Sequence, residues 1–89
     1  MDKEILDLLQ NGYAKERYFE SKNKDLYFEE WGSSISNWDI IKNKMMLEVM
    51  DFVFTIDLNL CKISIRKNEK SKTVTIESDN FYLEFIFIE

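Results

Sequence analysis

The stretch that decides the fold is DFVFTIDLNLCKISIRKNEKSKTVTIESDNFYLEFIFIE, residues 51–89. Within each short run of this segment, apolar residues recur at every second position, which is the period of a strand with one buried face. Polar groups such as KNEKSK and SDN separate the runs and are typical of turns. The pattern predicts four strands joined by short connections, and therefore an antiparallel sheet.

The last of these runs, FYLEFIFIE at residues 81–89, is apolar on both sides. Such a strand normally lies inside a sheet or is covered on both faces, because at a free edge it would promote aggregation. We expect it to lie inside the sheet, or its second face to contact a helix or another copy of the chain. The residues of that possible oligomer interface are Tyr82, Glu84, Ile86 and Ile88.

Upstream of residue 51 the pattern is mixed. Residues 2–10 have apolar side chains at helical spacing and acids in the first turn, which predicts a short helix. Residues 15–21 and 25–31 alternate imperfectly around a polar KNK turn, which predicts a hairpin. Residues 38–50, WDIIKNKMMLEVM, are predicted to form a second helix.

That second helix is predicted from a stripe of apolar residues three or four positions apart. Ser36 or Asn37 would cap it, and Asp39 would lie in its first turn. The stripe consists of Trp38, Ile41, Met45 and Val49.

The whole chain is expected to form a single compact domain over residues 1–89, because a chain of 89 residues is the size of one domain. The predicted element order is α-β-β-α-β-β-β-β. The fold class is therefore α+β, with a mostly antiparallel sheet of five to six short strands and two helices.

Several kinds of chemistry are excluded by composition. The chain contains no histidine, a single cysteine at Cys61 and no glycine-rich phosphate loop. We therefore expect neither an enzyme nor a metal or cofactor site. The net charge of −5 disfavours nucleic acid and anionic membranes as partners. One unpaired cysteine, an N-terminus with scattered charges and the absence of a long apolar run favour a cytoplasmic protein.

The segment LYFEEWGSSISNWDI, residues 26–40, combines aromatic residues with carboxylates and contains no base. Trp38 is expected to pack in the core, whereas Trp31 is equally compatible with core and surface. The acids have no role in a core and would steer a basic partner. The predicted partner-binding residues are Asp25, Tyr27, Glu29, Glu30, Trp31 and Asp39.

Three functions are compatible with these features. The favoured one is a stoichiometric inhibitor that binds a basic protein, of the toxin-immunity or phage anti-defence type. The second is a self-assembling subunit that dimerises through the C-terminal strand. The third is a small-ligand module with a pocket lined by Phe52, Phe54, Tyr82 and the methionine-rich helix.

Overall fold

The computed structural model describes residues 1–22 and 32–88, which contain one α-helix and seven strands. The predicted strand at residues 25–31 lies outside the described residues. The elements are α1 (Lys3–Asn11), β1 (Ala14–Ser21), β2 (Gly32–Ile41), β3 (Lys44–Val49), β4 (Phe52–Asp57), a short 3-10 turn (Leu58–Leu60), β5 (Lys62–Lys67), β6 (Ser71–Glu77) and β7 (Phe81–Ile88).

The described strands form one antiparallel sheet in the order β4-β3-β2-β1-β7-β6-β5. Two meanders, β2–β3–β4 and β5–β6–β7, therefore flank the central strand β1. The prediction that the last strand lies inside the sheet is confirmed, since β7 is paired with β1 on one side and β6 on the other. The sheet-dominated α+β class is also confirmed, but the described residues form one helix and seven strands instead of the predicted two helices and five to six strands.

The sheet is strongly curled, because its two edge strands are joined by a very short connection. Seven strands in a flat sheet would place β4 and β5 about 29 Å apart. The chain from Asp57 to Lys62 can span at most about 19 Å. Ring contacts across the sheet agree with this curl, since the rings of Phe19 on β1 and Phe54 on β4 are stacked with centroids 5.1 Å apart.

The core lies on the concave face of the curled sheet, where alternate residues of every strand point inward. Strand β3 shows the rule plainly, since Met45, Leu47 and Val49 are buried and the residues between them are exposed. The Trp38 ring lies 5.0 Å from that of Phe85 and packs against this core, as expected for Trp38. Further buried residues of the core are Phe19, Ile35, Ile40, Ile56, Val74, Ile76, Leu83 and Phe87.

The predicted second helix at residues 38–50 is wrong, because this segment forms part of β2, a tight turn and β3. A β-bulge hides the strand period. Ile35 pairs with Val49, whereas Asn37 pairs with Glu48, so that β2 carries one extra residue at this point. The residue predicted as a possible helix cap, Ser36, instead lies at the bulge and donates a hydrogen bond to the Glu48 carbonyl oxygen at 2.9 Å.

Helix α1 begins at an N-cap formed by Asp2, whose carboxylate accepts hydrogen bonds from the backbone amides of Glu4 and Ile5. The indole Nε1 of Trp38 donates to the carbonyl oxygen of Leu9 at 2.8 Å, which ties the last turn of the helix to β2. Within the described part of the chain, no helix has the length and apolar character needed to cross a bilayer.

Ion pairs join the first turn of α1 to strands β5 and β6, in the half of the sheet that does not contain β2. The carboxylate of Glu4 lies 2.7 Å from Lys67 Nζ on β5 and 3.4 Å from Lys72 Nζ on β6. These two lysines are the first and last residues of the KNEKSK segment, residues 67–72, so this turn helps to hold the helix in place.

Candidate interaction surface

The structure describes only one of the predicted partner-binding residues. Asp39 is exposed on β2 and points away from the core. The remaining five lie outside the described residues: Asp25, Tyr27, Glu29, Glu30 and Trp31.

Asp39 belongs to a larger surface on the convex side of β2, β3 and β4, which we call the β2–β4 face. Antiparallel pairing arranges its nine outward residues in three rows, each with one residue from each strand. The rows are Asn37–Glu48–Val53, Asp39–Met46–Thr55 and Ile41–Lys44–Asp57.

An apolar stripe runs diagonally across this face. Ile41 on β2, Met46 on β3 and Val53 on β4 stand in successive rows and leave 57%, 44% and 66% of their surface exposed. The strand pattern explains why these residues face outward, since the alternate residues Ile40, Met45 and Leu47 are buried in the core. Contiguous exposed apolar residues bordered by polar ones are typical of interaction sites.

The two sides of the stripe differ in charge. On one side stand the carboxylates of Asp39 and Glu48, whose Cα atoms are diagonal neighbours on adjacent strands, about 7–8 Å apart. Neither forms a salt bridge with any described residue. On the other side Lys44 Nζ lies 3.4 Å from Asp57 Oδ2, beside Thr55.

A shallow depression accompanies each side of the stripe. The one on the acidic side has a volume of about 240 Å³ and is lined in part by Asp39, Glu48 and Val53. The one on the other side has a volume of about 470 Å³ and is lined in part by Ile41, Lys44 and Asn59. Side chains of a partner that covers the stripe can therefore enter both depressions.

The predicted oligomer interface lies on the convex face of β7, in the other half of the sheet. Tyr82 donates a hydrogen bond to Glu84 Oε2 at 2.6 Å, and this bond raises the pKa of the phenol to about 12. Both edges of β7 are already paired within the chain, so β7 cannot add a strand from a second copy. Only the side chains of this face remain for such a contact, and the carboxylate of Glu84 separates Tyr82 from Ile86 and Ile88.

The pocket expected for a small ligand is not formed. Phe54 points into the core and contacts Phe19 and Phe81, whereas Tyr82 points to the convex side because it follows Phe81 on the same strand. The methionine-rich helix that would complete the pocket is the β2–β3 hairpin. Met45 of that hairpin is buried and Met46 is exposed on the β2–β4 face.

Cys61 is half-buried beside the 3-10 turn. Its Sγ donates a hydrogen bond to the carbonyl oxygen of Asp57 at 3.4 Å. Burial, together with the nearby charge of Asp57, raises the pKa of the thiol, so that the protonated form is favoured at neutral pH.

Sequence reasoning missed the four residues that define this surface together with Asp39, namely Ile41, Met46, Glu48 and Val53. The available signal was the alternation of Met45, Leu47 and Val49 with polar or flexible residues over residues 44–49. That signal was hidden because the same residues also fit a helical stripe.

Comparisons of the chain with protein-family models, with curated proteins and with solved structures found no match.

Proposed function

We propose that the chain is a non-enzymatic binding module that captures a basic protein through the β2–β4 face. The observation that carries this proposal is the exposed stripe of Ile41, Met46 and Val53 next to the carboxylates of Asp39 and Glu48. The acidic net charge of −5 supports the same class of partner.

Burial of the stripe would provide the binding free energy, whereas the acids would raise the association rate and the selectivity for a basic partner. Apolar surface removed from water stabilises a complex by about 25 cal/mol per Å² before the costs of association. Met46 stands at the centre of the stripe, and its unbranched thioether adapts to differently shaped partners. Carboxylates at the rim mainly accelerate encounter with a basic surface, and this effect weakens as salt is added.

Stoichiometric inhibition is the functional consequence that fits these properties best. An acidic module that covers a basic active site blocks access of the natural substrate without any catalysis of its own. The partner is then a toxin or a nucleic-acid enzyme of a host defence, whose active site is basic because it binds phosphate.

A pull-down with matched variants tests the proposal. The purified chain is immobilised and exposed to lysate of the cells in which it is naturally expressed, at about 50 mM and about 500 mM NaCl, since this range shortens the Debye length severalfold. We expect a basic protein to be retained at low salt by wild type and lost with D39K/E48K. The control E16K/E20K makes the same change in net charge on the exposed outer side of β1, and it should retain the protein.

The captured protein is then purified and its binding is repeated with the two components alone. Equal retention by wild type and D39K/E48K, or loss with E16K/E20K as well, would contradict the proposed surface. An acidic captured protein would contradict the proposed class of partner.

A further inference from the structure

The β2–β4 face is complementary to itself as well as to a basic protein. We propose that two copies of the chain pair through this face about a two-fold axis that runs parallel to the stripe of Ile41, Met46 and Val53. The partner in this proposal is a second copy of the chain, and the proposal does not depend on the existence of the basic partner.

Rotation about such an axis places the stripe of one copy on the stripe of the other. It also exchanges the two sides of the stripe. The acidic side of one copy, with Asp39 and Glu48, then faces the side of the second copy that carries Lys44 and its ion-pair partner Asp57. The same contact occurs twice, because a two-fold interface is isologous.

Other orientations of the axis are disfavoured by charge. An axis perpendicular to the stripe, in the plane of the interface, would bring Asp39 and Glu48 of one copy opposite the same residues of the other. Juxtaposed like charges oppose association. The depression on the Lys44 side is also lined by Lys42 and Asp57, so that two lysines outnumber one carboxylate and this side remains complementary to Asp39 and Glu48.

The size of the face indicates a weak dimer. Three strands about 4.8 Å apart and six residues at about 3.4 Å each give a face of roughly 14 Å by 20 Å. Stable interfaces bury about 1,200–2,000 Å² in total, and two copies of a face this small, about 560 Å² together, fall well below that range. We therefore expect half-dissociation at a concentration on the order of hundreds of micromolar.

A dimer of this kind would make self-association and capture of a basic protein mutually exclusive. The stripe is covered in the dimer, so a basic partner must bind the monomer and shift the equilibrium by mass action. Weak pairing would shield the apolar stripe at high concentration and release it when a partner with higher affinity is present.

Sedimentation equilibrium of the full chain, from about 20 µM to about 1 mM in low salt, tests the proposal. We expect wild type to pass from monomer to dimer over this range, because a face of this size gives weak association. D39K/E48K and K44E should each stay monomeric, since each places like charges opposite one another. An equimolar mixture of D39K/E48K with K44E should form a heterodimer, because both contacts then join opposite charges.

Matched controls separate this effect from a general change in charge. E16K/E20K carries the same charge change as D39K/E48K, and K15E the same as K44E, on exposed positions of β1; both should dimerise like wild type. Circular dichroism and urea unfolding confirm that every variant is folded. The proposal would be overturned if wild type is monomeric at about 1 mM, or if D39K/E48K or K44E dimerises like wild type. It would also be overturned if either control, E16K/E20K or K15E, fails to dimerise, or if the mixture of D39K/E48K with K44E forms no heterodimer.

Discussion

Among the described residues, two that carry side chains adopt the left-handed backbone region, where glycine is usually found. Lys42 has a φ of 59° and Met50 has a φ of 55°. Each is the first residue of a two-residue connection, between β2 and β3 or between β3 and β4. Tight hairpin turns require such angles because they match the twist of the strands. Neither glycine of the chain, Gly12 or Gly32, occupies these positions.

Replacement of Met50 by glycine is expected to stabilise the protein by about 0.5 kcal/mol. An L-residue in this region destabilises the folded state by roughly 1–2 kcal/mol, and glycine removes this strain. The greater conformational freedom of glycine in the unfolded chain offsets roughly 0.4–1 kcal/mol of the resulting stabilisation. The exposed side chain of Met50 contributes little packing. Urea unfolding measures the difference. The control N43G, at a loop residue without positive φ, should destabilise the protein, and an equal loss in M50G would contradict the expectation.

The phenol of Tyr82 provides a second test at the scale of single residues. Its pKa is raised to about 12, first by the hydrogen bond to Glu84 and then by burial. E84Q should move this pKa towards the ordinary value of 10.0, as measured by phenolate absorbance with Y82F to assign the signal. The folded form keeps its proton to higher pH than the unfolded form, so this contribution to stability is present below pH 10 and is lost as pH rises towards 12.

The matched control for this titration is E16Q. Glu16 lies on the neighbouring strand beside Ile86 and is not among the groups that shift the pKa of Tyr82. E16Q should therefore leave the pKa of Tyr82 unchanged. A wild-type protein whose tyrosines all titrate near 10 would show that the Tyr82–Glu84 bond does not persist in solution.

At the scale of elements, helix α1 is held to the sheet by a pH-dependent contact. The hydrogen bond from Lys67 lowers the pKa of Glu4 below its ordinary value, with a further contribution from Lys72. Because this pKa is lower in the folded form, the stabilisation is present above pH 4.5 and is lost as pH falls through the folded value. E4Q should unfold at a lower urea concentration than wild type at pH 7, and this difference should shrink below pH 4.5.

Urea unfolding midpoints at several pH values between 3 and 7 measure this effect. The control E48Q removes a carboxylate that pairs with no described residue, so its difference from wild type should not follow the same pH course. A difference between E4Q and wild type that stays constant or grows towards pH 3 would contradict the assigned role of Glu4.

The accuracy of the sequence prediction varied from element to element for identifiable physical reasons. Strands β4 to β7 were predicted closely because apolar residues recur at every second position within each of them, and α1 was predicted from its apolar spacing and its acidic start. The β2–β3 hairpin was not predicted, because the bulge at Ser36 shifts the alternation by one residue. Its turn was also hidden, since Lys42 gives no glycine signal for a positive φ.

The candidate surface could not be predicted for the same reason. Ile41, Met46 and Val53 fall on one diagonal only when β2, β3 and β4 are paired in their observed register. A helix over residues 38–50 would have buried Ile41 with Met45. In the sheet these two residues point to opposite faces, because strand residues alternate. Asp39 was selected correctly as a surface acid, since its charge has no place in a core of this size.

At the scale of the whole molecule, the two meanders have different convex faces. The face of β5 and β6 carries hydroxyl and basic side chains, with Ser64 and Thr75 hydrogen-bonded to each other at 2.6 Å and Arg66 beside them. The β2–β4 face instead carries the exposed apolar stripe and its acids. This asymmetry supports the proposal that the β2–β4 face is the recognition surface, whereas the concave face and α1 contain the core contacts of the fold.

The central claim, that recognition occurs at the β2–β4 face, is tested most directly by photo-crosslinking from a single position. A photoreactive amino acid is placed at Met46 in one variant and at Tyr18, on the convex side of β1, in another. Both are illuminated in lysate of the cells in which the chain is naturally expressed. We predict that only the Met46 variant yields a discrete product with a basic protein, and that adding D39K/E48K removes it. Crosslinking from Tyr18 but not from Met46 would contradict the claim.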